Sequence, residues 1–393
     1  MLFGCKNDKD SARTGDSLDV NTQELIIVDQ NYTEALAIAS SEDKSIFIDF
    51  YTTWCAPCKE LDKLIFQNDS IAQILGKDFI LLKYDAENDS VFHLSKKHHV
   101  SSYPTGIILN KEGYVLNRKY GFPGEGFAAL SKNVLEFTKE SIELNAKNEI
   151  VKGYSNMTDA SKYPSFYVDY VNRTNTKIDP LEVNEYLNTA QDVFSEEYFS
   201  TLIYFARNAS NEVANNTLKN QKRYEALYGK TDVETLMYFL TAGKFKQAIT
   251  ENSQEKYDEA VLFAKTVLSK KWTDGILPSF EKEFLMSQNR WVEVLEINEN
   301  LKNIGELENG YMNHFSWQVY KDCDDPEVIK KCLEWMKAVT EEEPTYAYLD
   351  TYAYLLYKSG NKKETKKIAQ LAIEVAEKDS ETAKSMVALM SKL

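Results

Sequence analysis

The sequence predicts an α/β domain, with a central mixed sheet flanked by helices, followed by an all-α helical-repeat domain. Three observations predict this fold class. Strand-like and helical patterns alternate between residues 25 and 138. From about residue 142 strand-like alternation almost disappears, and helical patterns follow one another to the end of the chain. A Cys-x-x-Cys motif, Cys55 to Cys58, stands where a strand pattern passes into a helix pattern.

Length and charge limit the functions that the chain can have. Its 393 residues suggest two or three domains, and the 43% of apolar residues are enough for real cores. The 61 acidic and 46 basic residues give a net charge of −15, which argues against nucleic acid or an anionic membrane surface as a general partner. No apolar run reaches the roughly 18 residues that a membrane-spanning helix needs. Five cysteines are too few for a disulfide scaffold in a chain of this length.

The first residues suggest a lipid anchor. Residues 2–5 read Leu-Phe-Gly-Cys, which resembles the lipobox of bacterial lipoprotein signals, although Phe3 stands where a small residue is usual and no charged or apolar region precedes it here. We expect Cys5 to be the lipidated first residue of the mature chain and residues 1–20 to be a disordered tether in the bacterial cell envelope, on the periplasmic side. The alternative is an unstructured tail with a chance cysteine.

The predicted α/β domain covers residues 21–140, in the order β-α-β-α-β-α-β-β-α. Continuous apolar runs indicate buried strands, apolar residues at helical spacing indicate helices, and Asn-Lys-Glu-Gly at 110–113 indicates a hairpin turn. An Asn-Asp-Ser sequence at 68–70 resembles a helix N-cap. The predicted strands are 25–28, Ser45–Tyr51, Phe79–Asp85, Thr105–Leu109 and 114–120, and the predicted helices are 32–40, from 55 onward, 71–75, from 89 or 90 to 97, and 127–138.

The second predicted domain, residues 141–393, is helical. Its many aromatic residues recur at helical spacing, which is typical of a packed core rather than of a ligand cage. Polar turns are predicted at Gly243, at 289–291 and at Gly360. Residues 349–376 resemble a tetratricopeptide repeat, with small Ala353 and Ala369 at close-packing positions, but Thr365 stands where alanine is usual. We therefore expect an irregular tetratricopeptide-like domain, which would either position the α/β domain or bind a protein partner.

The Cys-x-x-Cys motif carries the predicted chemistry. A thiol at a helix N-terminus is stabilised as the thiolate by the helix dipole and by unpaired backbone N–H groups. The thiolate is the nucleophile of disulfide exchange, and a two-residue spacer brings both sulfurs into the first helical turn. Pro57 suits that turn, where a missing N–H costs little.

Residues 48–59, IDFYTTWCAPCK, resemble the active-site segment of thioredoxin-fold thiol–disulfide oxidoreductases. The shared features are Asp-Phe in the strand, Trp before the first Cys, Pro before the second Cys and Lys after it. The resemblance extends through Tyr103-Pro104-Thr105 and Gly121. Within that family it is most similar to the periplasmic C-terminal domain of the thiol:disulfide interchange protein, with which it shares Cys-Lys-Glu at 58–60 and Phe66 before an Asn-Asp-Ser helix start.

The resemblance implies a role for each residue. Cys55 would be an exposed nucleophile of low pKa, and the more buried Cys58 would resolve the mixed disulfide. Asp49 would be a buried acid/base with a raised pKa, the alternative being an exposed strand residue. Pro104 would follow a cis peptide bond. The substrate-binding surface would comprise Trp54, Ala56, Pro57, Tyr103 and Pro104.

The predicted function is therefore reduction of protein disulfides, with no cofactor besides the Cys55–Cys58 disulfide. Its partners would be protein disulfides and a thiol electron donor. The alternative is a partner-binding helical-repeat protein in which the α/β domain is a docking module.

Three further patterns allow alternatives. His98-His99 indicates a solvated helix end more than a metal site. Cys55 and Cys58 with Cys323 and Cys332 could make a four-cysteine zinc site, although the second pair lacks the Cys-x-x-Cys spacing, and we predict no metal. Cys323 and Cys332 could form a disulfide or remain two buried thiols.

Overall fold

The computed structural model describes residues 24–378 and 382–393. The predicted tether and Cys5 lie outside these residues. The chain divides into two compact units, the first ending at Leu240 and the second running from Thr241 to Leu393. The helices between residue 140 and Leu240 thus belong to the same compact unit as the sheet.

A five-stranded mixed sheet organises the first unit, as predicted. The strands are β1 (Ile27–Asp29), β2 (Ser45–Tyr51), β3 (Phe79–Asp85), β4 (Thr105–Leu109) and β5 (Val115–Tyr120). Their order across the sheet is β1-β3-β2-β4-β5. β3 pairs parallel to both β1 and β2, whereas β4 pairs antiparallel to β2 and β5. Strand β2, which leads into the Cys-x-x-Cys motif, is therefore central and buried along almost its whole length.

Helices flank this sheet, and two of them differ from the prediction. Helix α4 begins only at Leu94, because the Asp89 carboxylate accepts hydrogen bonds from the Leu94 and Ser95 N–H groups at 2.9 and 3.0 Å and caps the helix there. Helix α5 continues beyond residue 138, where Ser141 is still buried. The helices are α1 (Tyr32–Glu42), α2 (Ala56–Leu61), a π-helical turn (Asp62–Phe66), α3 (Asp69–Leu75), α4 (Leu94–Lys97) and α5 (Gly126–Ala146).

The core on one side of the sheet is largely aromatic. Phe47 of β2 packs edge-on against Phe66 and Phe137, with ring centroids 5.5 and 5.6 Å apart. Gly106 of β4 leaves room for these rings, since a Cβ atom there would lie 2.9 Å from Phe122 and 3.1 Å from Phe137. This packing explains a glycine in the middle of a buried strand.

More helices complete the first unit, and the last of them continues into the second. They are α6 (Ser165–Val171), α7 (Pro180–Thr189), α8 (Glu196–Phe205), α9 (Asn211–Lys219), α10 (Gln221–Tyr228) and α11 (Lys230–Thr250), with 3-10 turns at Ala160–Lys162 and Ala206–Asn208. The turn predicted at Gly243 is wrong, because α11 passes through it unbroken. Phe245 and Ala248, both fully buried, continue the helical spacing of Leu240 beyond the glycine, and one glycine costs a helix only about 1 kcal/mol.

Polar contacts hold the sheet to the helices that follow it within the first unit. Tyr167 of α6 donates to the Lys96 carbonyl at 2.7 Å, and Ser200 of α8 donates to the Lys97 carbonyl at 2.6 Å. The Lys97 ammonium lies 3.2 Å from the Glu196 carboxylate, and both side chains are largely buried. Helix α4 is thus enclosed by later helices.

The second unit is all helical. Its helices are α12 (Gln254–Val267), α13 (Lys270–Ser287), α14 (Trp291–Asn303), α15 (Asn309–Asp322), α16 (Pro326–Glu342), α17 (Tyr346–Lys358), α18 (Lys362–Lys378) and α19 (Lys384–Met390). The predicted turns at 289–291 and Gly360 are confirmed, with Asn289 and Gly360 at positive φ. The tetratricopeptide-like pattern stays a prediction. Across residues 24–378 and 382–393, no helix is both long and apolar enough to cross a membrane.

Candidate functional site

The Cys-x-x-Cys motif lies at the N-terminus of α2, where the sequence predicts it. Cys55 is the N-cap residue, and its Sγ accepts a hydrogen bond from the Cys58 N–H at 3.2 Å. Cys55 and Cys58 are joined by a disulfide, with their Cα atoms 5.3 Å apart. Pro57 occupies the second position of the helix, where no N–H is needed. The pair is placed for thiol–disulfide exchange at a helix end that favours the thiolate.

The expected difference in exposure between the two cysteines is absent in this disulfide form. Cys55 and Cys58 are each only 3% exposed. The residues between them, Ala56 and Pro57, are exposed, as is 62% of Trp54. The partner-facing surface is therefore made by the residues around the disulfide.

Asp49 lies in β2 and is buried, which contradicts the exposed alternative. The residue is only 1% exposed, and its Oδ1 has no hydrogen-bond partner. Its neighbours across the sheet are Lys83 on β3 and Gly106 on β4. Burial raises the pKa of the Asp49 carboxyl to about 7, although the charge of Lys83 lowers it and that of Asp62 raises it.

The charges near Asp49 form a pair of their own. The Lys83 ammonium bonds the Asp62 carboxylate, and Gln67 donates to the other Asp62 oxygen at 2.7 Å. Both side chains of the pair are about one quarter exposed. Asp62 belongs to the π-helical turn that follows α2, so this pair connects the helix carrying Cys58 with the strand beside Asp49. The sequence shows no sign of this pairing.

The loop before β4 supplies the other side of the predicted substrate surface. The Tyr103–Pro104 peptide bond is cis, as expected, and Pro104 is buried. The Pro104 carbonyl accepts from the Gly121 N–H at 2.9 Å, and Gly121 has a φ of 69°, which favours glycine at this position. Tyr103 packs edge-on against Trp54 at 5.9 Å between ring centroids. The structure thus brings the Tyr103 side chain to the residue that precedes Cys55.

Sequence reasoning missed two charged residues that hold this surface. The Trp54 indole donates to the Glu87 carboxylate at 3.0 Å, and the other Glu87 oxygen lies 3.7 Å from the Arg173 guanidinium. Arg173 follows α6 in the helical part of the first unit. Glu60, two residues after Cys58, accepts from the Gly126 N–H at 3.1 Å and caps α5.

The prediction of a solvated helix end at His98-His99 is wrong. Both histidines are 2% exposed. The Arg118 guanidinium donates to His99 Nε2 at 2.6 Å and to Asp232 at 3.3 Å, while Tyr120 and Tyr154 donate to the same carboxylate at 3.1 and 3.2 Å. Burial, and then the charge of Arg118, lower the pKa of His99 to about 4.

Asp232 compensates the Arg118 charge. Burial alone would raise the pKa of its carboxyl, but the charge of Arg118 and the hydrogen bond from Tyr120 lower it to about 2. Asp232 belongs to α11, whereas Arg118 belongs to β5. This buried cluster is thus a structural connection between the sheet and a helix far along the chain.

The other two cysteines that the structure describes are buried free thiols in the second unit. Cys323 and Cys332 are 1% and 0% exposed. Burial raises the pKa of the Cys332 thiol to about 12. Within the two described ranges, no three His, Cys, Asp or Glu side chains are grouped so that they could hold a metal ion.

Comparisons with known proteins concern the N-terminal part of the chain. A family model described as Thioredoxin-like matches residues 27–111. Thioredoxin-1 of Drosophila melanogaster is 35% identical over 74 residues, which are 19% of this chain and 64% of that protein. The thiol:disulfide interchange protein DsbD of Salmonella typhimurium is 35% identical over 79 residues, which are 20% of this chain and 14% of that protein. The chain therefore spans less than two thirds of either relative.

Among solved structures, a candidate disulphide-isomerase from Bacteroides thetaiotaomicron is 35% identical, covering 31% of this chain and 96% of its own, with a TM-score of 0.26. The family-model match agrees with the strand order and with the Cys55–Cys58 disulfide at the end of the central strand. Residues 27–111 therefore form a thioredoxin-like domain with the fold of the thiol–disulfide oxidoreductases.

Proposed function

We propose that this protein reduces disulfides of other proteins through a Cys55/Cys58 dithiol. The observation that carries the proposal is the disulfide between these residues at the N-terminus of α2, beside the exposed Trp54 and the cis Tyr103–Pro104 loop. A redox-active pair at a helix start, with an exposed aromatic next to it, suits exchange with a macromolecular disulfide.

The proposed reaction has two exchange steps. The Cys55 thiolate attacks one sulfur of the substrate disulfide, forms a mixed disulfide and releases the other substrate sulfur as a thiolate, which takes up a proton. Cys58 loses its proton and attacks Cys55, which forms the Cys55–Cys58 disulfide and releases the second substrate thiol. Two electrons pass to the substrate. A dithiol electron donor must then return two electrons by the same exchange.

Asp49 would move the proton in the second step. A carboxyl with a pKa of about 7 can both accept and return a proton near neutral pH. Its burial in β2 and its partnerless Oδ1 leave an oxygen free for this task. The charge of Lys83, which lowers the Asp49 pKa, would keep part of the carboxyl ionised and ready to accept.

The proposal also includes the location of the protein, its cofactor requirement and the role of the second unit. The lipobox-like residues 2–5 support a membrane-anchored protein of the bacterial cell envelope, with Cys5 as the lipidated residue. No cofactor besides the cysteine pair is needed for the exchange. The second unit would bind a protein partner through its helices. Labelling with an alkyne-bearing fatty acid in the cells that make the protein, compared with Cys5→Ser, tests the anchor.

The redox proposal is tested by insulin reduction in the presence of dithiothreitol, measured as turbidity of the released B chain. The full chain should accelerate it, and Cys55→Ser should bring the rate to that of dithiothreitol alone. Cys58→Ser should instead trap mixed disulfides, which a non-reducing gel displays and mass spectrometry identifies. Cys323→Ser, a buried thiol of the second unit, is the matched control and should retain the wild-type rate. Equal rates with and without Cys55 would exclude the reaction and favour a partner-binding role.

A further inference from the structure

A cleft of about 360 Å³ opens in the first unit, outside the disulfide surface. Tyr170 of α6 and Tyr204 of α8 line it and meet edge-on, 5.8 Å between ring centroids. Arg173 enters from the loop after α6. Arg207, in the 3-10 turn after α8, lies over the Phe239 ring of α11, with its Cζ 4.8 Å from the centroid. We call this the arginine cleft.

The arginine cleft continues the disulfide surface. Ser101, two residues before Tyr103, is part of its lining. Arg173 contacts Glu87, the carboxylate that holds the Trp54 indole. A polypeptide with its disulfide at Cys55 could therefore extend along Tyr103 into the cleft.

The charge of the cleft is opposite to that of the chain. Arg207 is exposed, and no carboxylate lies within 4 Å of it among the residues that the structure describes. The Arg173 side chain is half exposed, and among the described residues its one ion pair is the 3.7 Å contact with Glu87. Two accessible guanidinium groups are a local exception in a chain with a net charge of −15. Guanidinium groups bind carboxylates through paired hydrogen bonds, and the aromatic walls suit an aromatic or aliphatic neighbour.

We propose that the arginine cleft binds the polypeptide flank of the substrate disulfide and selects flanks in which an acidic residue stands next to an aromatic one. This inference rests on the proposed reductase function and names its substrate class. Arg173 and Arg207 bind the acidic side chain, and the rings of Tyr170, Tyr204 and Phe239 contact its neighbour. Selection acts on binding, because the cleft residues do not touch the exchanging sulfurs.

The test uses the full chain and peptides that share one intramolecular disulfide but differ in the flank. The three flanks carry Asp-Phe-Glu, Asn-Phe-Gln or Lys-Phe-Lys, and release of thiols gives kcat and KM. An exposed ion pair contributes up to about 1 kcal/mol, so each arginine should lower KM for the acidic flank roughly threefold to fivefold relative to the amide flank. The lysine flank should bind more weakly than the amide flank. Because these charges are exposed, the preference should fall as salt rises.

Substitution assigns the preference to the cleft. Arg207→Glu should abolish or invert the preference for the acidic flank, and Arg207→Gln should reduce it to that contributed by Arg173. Lys222→Glu, at an exposed position of α10, is the control with the same charge change, and it should keep the wild-type ratio of kcat/KM for the acidic flank to kcat/KM for the amide flank. If this ratio of kcat/KM values, acidic flank over amide flank, drops equally in Lys222→Glu and Arg207→Glu, the preference comes from net charge and the proposal is overturned.

Failure of the two proposals can be told apart. If wild-type protein reduces all three peptides with the same KM, the reductase function stands and the arginine cleft is not a substrate site. If it reduces none of them and also leaves neutral 2-hydroxyethyl disulfide intact, the reductase function fails. Fluorescence anisotropy of labelled, S-alkylated peptides then decides on the cleft alone: tighter binding of the acidic flank, lost in Arg207→Glu, supports it, and equal binding of all flanks rejects it.

Discussion

Replacing Asp49 by asparagine should change how the stability of the first unit depends on pH. In the folded protein, burial raises the pKa of this carboxyl from 3.8 to about 7. The native state therefore keeps a proton between about pH 4 and 7 that the unfolded state loses. Wild-type stability is highest below the unfolded pKa and falls as the pH rises to the folded pKa. The asparagine side chain of the variant does not titrate, so this fall is absent.

The magnitude follows from the shift in pKa. One pKa unit corresponds to about 1.4 kcal/mol, so a shift of roughly three units costs the wild type about 4 kcal/mol of unfolding free energy above pH 7. The stability of the variant minus that of wild type should rise by about 1.4 kcal/mol per pH unit between pH 4.5 and 7, and then level off. The slope is the quantity to compare, because burying the asparagine amide adds a constant cost.

The assay must follow the first unit alone. Trp54 is the only tryptophan in that unit, since the others are residues 272, 291, 317 and 335. Urea unfolding of oxidised protein labelled with 5-fluorotryptophan, followed by ¹⁹F NMR of the Trp54 signal, gives its free energy of unfolding at each pH. Trp54→Phe assigns the signal.

Two further variants sharpen the assay. Asp78→Asn, at an exposed position before β3, is the isosteric control and should run parallel to wild type. Lys83→Met removes a charge that lowers the Asp49 pKa. The stability difference between Lys83→Met and the double variant Lys83→Met/Asp49→Asn should therefore level off at a higher pH than the difference between wild type and Asp49→Asn. A constant difference between wild type and Asp49→Asn from pH 4.5 to 8 would refute the raised pKa.

Two predictions concern other parts of the first unit. Gly106→Ala should lower its unfolding free energy by about 1–3 kcal/mol, because the new Cβ would lie 2.9 Å from Phe122; the same fluorine signal measures this, and a neutral or stabilising effect would contradict the packing argument. Asp232→Asn should lower it by about 3–5 kcal/mol at pH 7, because Arg118 stays buried without its counter-charge. Since the Asp232 pKa is lowered to about 2, its stabilisation is lost as the pH falls from about 4 to 2, and urea titrations at pH 7, 4 and 2 should show the difference narrowing by about 2 kcal/mol.

The disulfide site could be predicted from patterns of residues that are close together in the sequence. Alternation and apolar runs place β2 before Cys55, and the residues after Cys58 continue as a helix. The burial of Asp49 follows from its apolar neighbours in the same strand. Such features depend on residues that are adjacent in sequence, where strand and helix periodicity is expressed directly. Even so, Cys55 is as buried as Cys58 in the disulfide form, which no pattern indicates.

Features that depend on distant residues were missed. Arg118 and Asp232 are 114 residues apart, and His98-His99 looks polar until both are placed in that cluster. Arg173 contacts Glu87 although β4, β5 and several helices lie between them in the sequence. Gly243 was mispredicted for a related reason. A glycine can end a helix or lie within it, and the outcome depends on whether the residues on either side are buried as parts of one helix.

The sequence by itself determined a thioredoxin-like domain with its Cys55–Cys58 pair, its buried Asp49 and its cis Pro104, followed by a helical region. Only the tertiary structure decided that the helices up to Leu240 share one compact unit with the sheet, and that two of their arginines line a cleft beside Tyr103. The physical reason is the distance along the chain over which each kind of interaction acts. Periodicity and capping act within a few residues, whereas burial of charge and the lining of a cleft depend on which distant surfaces meet, and that is settled by the packing of the whole unit.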